Sequence, residues 1–130
     1  MKLNLTKELG VIKKKGSDRV RNEIEGKINE QLSFFDLTPL ELVSLLFEAQ
    51  AALTDKKPDP LMYPCLVQYA TYKQTLKETA LFVLDKRVQI MNKVSRLRKK
   101  LEVAQGEIDK AESSYDVKHS VESLDLNADI

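Results

Sequence analysis

The sequence predicts an all-α protein: an N-terminal helical cluster packed as an αα-hairpin on a long C-terminal helix, which continues as a coiled-coil extension. Three observations carry that expectation. From Leu76 to Tyr115 apolar residues recur in alternating three- and four-residue steps (Leu76, Ala80, Val83, Ile90, Val94, Leu97, Leu101, Ala104, Ile108, Ala111, Tyr115), broken at Arg87. Thr38-Pro39-Leu40-Glu41 is a helix-start signature followed by a dense apolar run. Four Gly, four Pro, no Trp and 6% aromatic residues leave too few turn-formers and large β-formers for an all-β sandwich. The chain divides by pattern into an N-terminal segment (1–16), a helical core (17–94), a coiled-coil extension (95–115) and an acidic tail (116–130).

Met1 to Gly16 admits two readings. Met1, Leu3 and Leu5 alternate as in a strand, whereas Leu5, Leu9 and Ile12 suit a helix face. Lys13-Lys14-Lys15-Gly16 resembles a basic helix end with Gly in the C′ position, which favours a helix stopping there. Ser17 or Asp18 then caps a second helix to about Phe35, with Val20, Ile24, Ile28, Leu32 and Phe35 in one stripe.

At the third helix Thr38 is the N-cap, Pro39 takes N1, Glu41 closes the capping box at N3, and Leu37 can staple onto Leu42. From Leu40 to Leu53 nearly every position is apolar, which predicts burial on more than one side. Thr54 to Pro60 is a polar linker allowing an antiparallel return. Proline inside a helix loses a hydrogen bond and clashes one turn back, so the long helix is expected to begin with Pro64 near N1.

That helix has two halves. Leu81, Leu84, Val88 and Met91 widen the seam of the first half into a face suited to a globular core, covered by Leu40–Leu53 with Val20–Phe35 added. Beyond Val94 only the narrow seam continues, and it is expected to need a partner: Val94, Leu97, Leu101, Ala104, Ile108, Ala111 and Tyr115 form a self-association seam. In a parallel homodimer Lys93 would face Arg98 and Glu107 would face Glu112. An antiparallel contact, with a second copy or another helix, would instead bring Lys100 to Glu107. Asp116 to Ile130 loses periodicity and reads as a solvated acidic tail or a short docking peptide.

The formal net charge of +1 conceals a strong asymmetry. Residues 61–100 hold nine Lys or Arg against two acids, whereas 101–130 hold eight acids against two Lys. Lys93, Arg96, Arg98, Lys99 and Lys100 form a basic patch able to meet phosphates or an acidic protein surface, and Lys13, Lys14, Lys15, Arg19 and Arg21 a second one. Neither is interleaved with aromatics, and no helix-turn-helix spacing accompanies them.

No phosphate-binding, dinucleotide, zinc-protease or C-x-x-C motif occurs. Cys65 is single and falls on a helix with no His or Asn placed to activate it. His119, the sole histidine, has no ligand spacing with Asp116 or Glu122. No catalytic, cofactor-binding or metal-binding residue is therefore expected, and no small-molecule partner. The longest apolar run is five residues, Ala80 to Leu84, too short for a membrane span, and with no long apolar stretch after Met1 a secretory signal is not expected. The lone cysteine fits a reducing compartment, so an intracellular, soluble protein is expected, cytoplasmic or within a larger assembly.

The layout of short helices before a long helix with a basic-to-acidic switch is similar to that of many small assembly proteins, phage terminase small subunits and scaffold-like factors among them. It includes no diagnostic motif. The expected function is a non-enzymatic structural, assembly or adaptor module working through helix-mediated self-association and contact with another helical protein. The alternative is a nucleic-acid-binding adaptor, small-terminase-like, using 93–100.

Overall fold

A computed structural model describes residues 2–70 and 74–124, with side chains from Lys7 onward. The chain is all-α, 85% helical, and its N-terminal helices pack against a long later helix. Among the described residues there are five α-helices: α1 (Lys2–Leu32), α2 (Pro39–Thr54), α3 (Pro64–Tyr69), α4 (Leu76–Lys110) and α5 (Ser114–Glu122). Short 3₁₀ turns occupy Ser33–Phe35 and Pro60–Met62. The chain forms two compact units, one of residues 1–32 with 92–130, the other of 33–91.

In the first unit α1 does not stop at Gly16. It runs unbroken for 31 residues, about 46 Å at roughly 1.5 Å per residue. Gly16 is an interior helical residue, buried, and it is small because another helix crosses there. A Cβ on Gly16 would lie 2.9 Å from Val117 Cγ1 and 3.3 Å from Val121 Cγ2, both on α5. The glycine that resembles a helix end is thus a packing glycine, and the tri-lysine before it lies mid-helix.

Three contacts set the direction of α4 against α1. Lys13 Nζ donates to the Asp109 carbonyl (2.9 Å), Gln105 Nε2 donates to Ser17 Oγ (3.1 Å), and the Gly16 position faces Ile108 Cδ1. As α1 ascends from 13 to 17, its partners on α4 descend from 109 to 105, so the helices are antiparallel. The Lys13 ammonium also satisfies one of the carbonyls left unpaired at the end of α4, where positive charge is favoured. Val20, Ile24 and Ile28 of α1 are buried in this unit with Val94, Leu97, Ala104 and Ile108 of α4, and Val117 and Val121 of α5 complete the core.

The second unit begins after Phe35. Asp36 takes φ = 50°, a left-handed conformation that Asp tolerates better than most residues, and turns the chain toward α2. The expected cap forms: Thr38 Oγ1 accepts from Glu41 N and Glu41 Oε1 accepts from Thr38 N, both at 3.3 Å. Leu45, Ala49 and Ala52 of α2 are buried, with Leu66 of α3 and Thr79, Ala80, Val83 and Ile90 of α4. The buried Thr79 hydroxyl bonds back to the Thr75 carbonyl (3.0 Å).

Pro64 opens α3, a helix of six residues, and the long helix starts afresh at Leu76. Its start signal is T-x-x-E: Thr75 Oγ1 accepts from Glu78 N (3.1 Å) and bonds Glu78 Oε1 (3.2 Å). The same motif that marks α2 is present here, and the absence of a proline or glycine between Pro64 and Gly106 conceals the break.

At its other end α4 stops at Lys110. Ser113 caps α5 through Asp116 N (3.2 Å), and the first part of the expected tail, 116–122, belongs to this nine-residue helix, which docks on α1. Residues 125–130, including Leu126, lie outside the described residues, as do the side chains of Leu3 and Leu5.

Candidate interaction surface

Among the described residues, no three His, Cys, Asp or Glu side chains cluster as metal ligands, and no helix is long and apolar enough to cross a membrane. Every buried side-chain polar atom described has a hydrogen-bond partner. The features with binding potential are surfaces.

The seam residues come first. Val94, Leu97, Ala104, Ile108 and Ala111 are buried, Leu101 is half-buried, and only Tyr115 is exposed. This burial is intrachain. The antiparallel helix that covers 94–111 is the chain's own α1, with α5 closing the far end. Helix α1 is continuous and long enough to lie along this stretch. Tyr115 leaves the seam because α4 has already ended, and its ring stacks on exposed His119 with centroids 6.3 Å apart.

The second stripe of α4 is corrected in the opposite sense. Leu81, Val88 and Met91, expected in the core, are exposed, and Leu84 is half-buried. Helix α2 shows the same reversal. It is buried along Leu45, Ala49 and Ala52 only, while Leu40 is 77% exposed, Val43 63% and Phe47 72%. These three sit at i, i+3 and i+7, a stripe of the kind one helix offers another.

The segment after α2 extends that stripe. Asp55 accepts from the Tyr63 hydroxyl (2.8 Å), and Asp59 caps the Pro60–Met62 turn through Leu61 N (3.0 Å). The turn leaves Leu61 87% exposed and Met62 70% exposed. Glu48 accepts from Cys65 N through both carboxylate oxygens (3.1 Å each), tying the start of α3 to α2. Val43, Phe47, Met62, Pro64 and Cys65 line one open apolar groove, edged by Ser44 and Glu48.

Cys65 borders this groove. A hydrogen bond to Glu48 raises its pKa, and burial and the charges of Glu48 and Glu41 raise it further. Tyr63 is raised chiefly by its bond to Asp55. Tyr69 is raised by burial and then by Asp36; its hydroxyl donates to the Phe35 carbonyl (2.6 Å). Phe34, Phe35 and Tyr69 meet edge to face, and Lys86 Nζ lies 4.4 Å over the Phe34 ring.

The basic patch is distributed around its helix. Arg96, Arg98 and Lys99 are exposed, while Lys93 and Lys100 are half-buried. Lys99 pairs with Glu102 at 3.7 Å along the same helix. In the second patch Lys13 turns onto the end of α4, Arg19 pairs with Glu23 (3.2 Å) and Arg21 approaches Asp18 (4.0 Å). That set is partly consumed by its own helix bundle.

No protein-family model matches the chain, and neither a curated protein nor a solved structure matches it significantly.

Proposed function

We propose that this protein is a non-enzymatic assembly or adaptor module that works by self-association and by contact with helical partners. The observation that supports it is the exposed apolar stripe Leu40, Val43, Phe47 with Leu61 and Met62 in one unit of a small chain. Single exposed apolar side chains are ordinary, but Leu40, Val43 and Phe47 lie at helix-pairing spacing, and Val43 and Phe47 share a groove with Met62, which is the form of a protein-binding face. A soluble, intracellular setting accords with such a role. The test is the native mass of the purified full chain by light scattering over a wide concentration range. A mass above the 14.8 kDa of one chain is the expected result. A monomer at every concentration overturns self-association.

The alternative, a nucleic-acid-binding adaptor of the small-terminase-like kind, is favoured by the exposure of Arg96, Arg98 and Lys99 along one helical stretch. Phosphate contacts of this type are sequence-independent and strongest at low salt. Titration with duplex DNA and with RNA at about 50 mM salt decides it, and absence of binding there removes the reading.

A further inference from the structure

We infer that the α2 face is a symmetric dimer interface, in which α2 of one copy lies antiparallel against α2 of a second copy of this chain. The inference rests on the self-association reading above and deepens it by naming the surface, the occupant and the orientation.

Area supports the occupant. Leu40, Val43, Phe47, Leu61 and Met62 are 63 to 87% exposed. A large aromatic side chain buries roughly 150–250 Å² and aliphatic ones less, so the five together offer on the order of several hundred Å² of apolar surface. Each partner in a standard stable interface contributes about 800 Å². A second copy supplies an equal stripe, so the face can bury nearly all of itself against its own image, as a two-fold interface requires.

Charge supports the orientation. Asp36 and Glu41 are exposed at the N-terminal end of α2, and the helix itself carries no Lys or Arg. Just past its C-terminus Lys56 and Lys57 are exposed beside Asp55 and Asp59, whose carboxylates accept from Tyr63 Oη and Leu61 N and keep their charge, so this end is mixed in sign where the other is acidic. Antiparallel pairing sets Lys56 and Lys57 of each copy beside Asp36 and Glu41 of the other. Parallel pairing sets the two acidic N-terminal ends against each other. Such contacts at a rim select orientation more than they add affinity. The helix dipoles also run opposite in the antiparallel pair.

The test uses the full chain. Phe47→Glu and Leu40→Lys fall on exposed positions and should leave the circular dichroism spectrum unchanged. The expected result is a fall of the native mass to half at concentrations where the parent chain is a dimer. A dimer that survives both substitutions overturns this interface and leaves the self-association reading intact. A parent chain that is monomeric throughout overturns both. Orientation is tested by Asp36→Asn, which keeps a residue suited to the left-handed φ: an antiparallel dimer loses an attraction to Lys56 and Lys57 of the other copy and should weaken. A dimer that is unchanged or strengthened overturns the antiparallel arrangement. A further measurement needs no variant. Cys65 lines the groove, so its alkylation should slow severalfold as the chain is concentrated through the dimer transition, and a constant rate across that transition overturns the interface.

Discussion

Gly16 of α1 lies directly beneath Val117 of α5, so close that a Cβ on the glycine would stand 2.9 Å from the valine Cγ1. Real Cβ atoms do not approach that closely, so the crossing of α1 and α5 depends on a missing side chain. Val117 is β-branched and stiff about χ1, so it cannot swing away at low cost.

The first prediction contrasts two glycines of the same helix. Gly26 has nothing within 4 Å of a built Cβ, and Gly26→Ala should stabilise the protein by about 0.5–1 kcal/mol through helix propensity alone. Gly16→Ala brings the same propensity gain but forces α5 outward. Hydrogen exchange should show faster exchange at 114–122 in Gly16→Ala and not in Gly26→Ala. Equal protection of α5 in both would refute the packing argument.

Leu97 is 1% exposed, and its environment is the chain's own core. Leu97→Ala should cost about 2–5 kcal/mol in denaturant unfolding, independent of protein concentration. Leu97→Lys buries an unpaired charge and should unfold the chain instead of merely dissociating an oligomer. A Leu97→Ala loss that grows on dilution would mean that another chain shares the seam.

Two capping residues can be compared directly. Thr38→Ala removes the acceptor for Glu41 N, and Thr75→Ala removes the acceptor for Glu78 N. Each should lower stability by about 1 kcal/mol, and Ser or Asp at either position should recover most of it. Thermal unfolding of these variants measures this.

Alkaline pH should act on the 33–91 unit. Cys65, Tyr63 and Tyr69 all belong to it, and all three have pKa values raised by folding. The fold favours their protonated forms, so that contribution is intact below the ordinary values of 9.0 for the thiol and 10.0 for the phenols. It is lost as pH rises through the raised values. Hydrogen exchange or near-UV dichroism above about pH 9 should register loosening in α2 and α3. At the thiol itself, Glu48→Gln removes the leading cause of the raised pKa. Alkylation of Cys65 at mildly alkaline pH should then quicken, by up to tenfold for each unit the pKa falls.

The sequence by itself determined that this chain is helical, where α2 begins, and that 76–111 carries a repeating apolar seam. Those features are local: a capping box joins residues three apart, and a 3.6-residue repeat is written along one strand of sequence. The second capping motif, at Thr75 and Glu78, was equally local and marks the true start of α4. What only the tertiary structure decided was which surface covers which. A glycine after three lysines has the same letters whether it ends a helix or receives another, and only the approach of Val117 distinguishes the two. An apolar stripe has the same spacing whether it faces the core or solvent. Burial depends on an opposing helix from a distant part of the chain, so α1 took the 94–111 seam inside while Leu40, Val43 and Phe47 were left facing out.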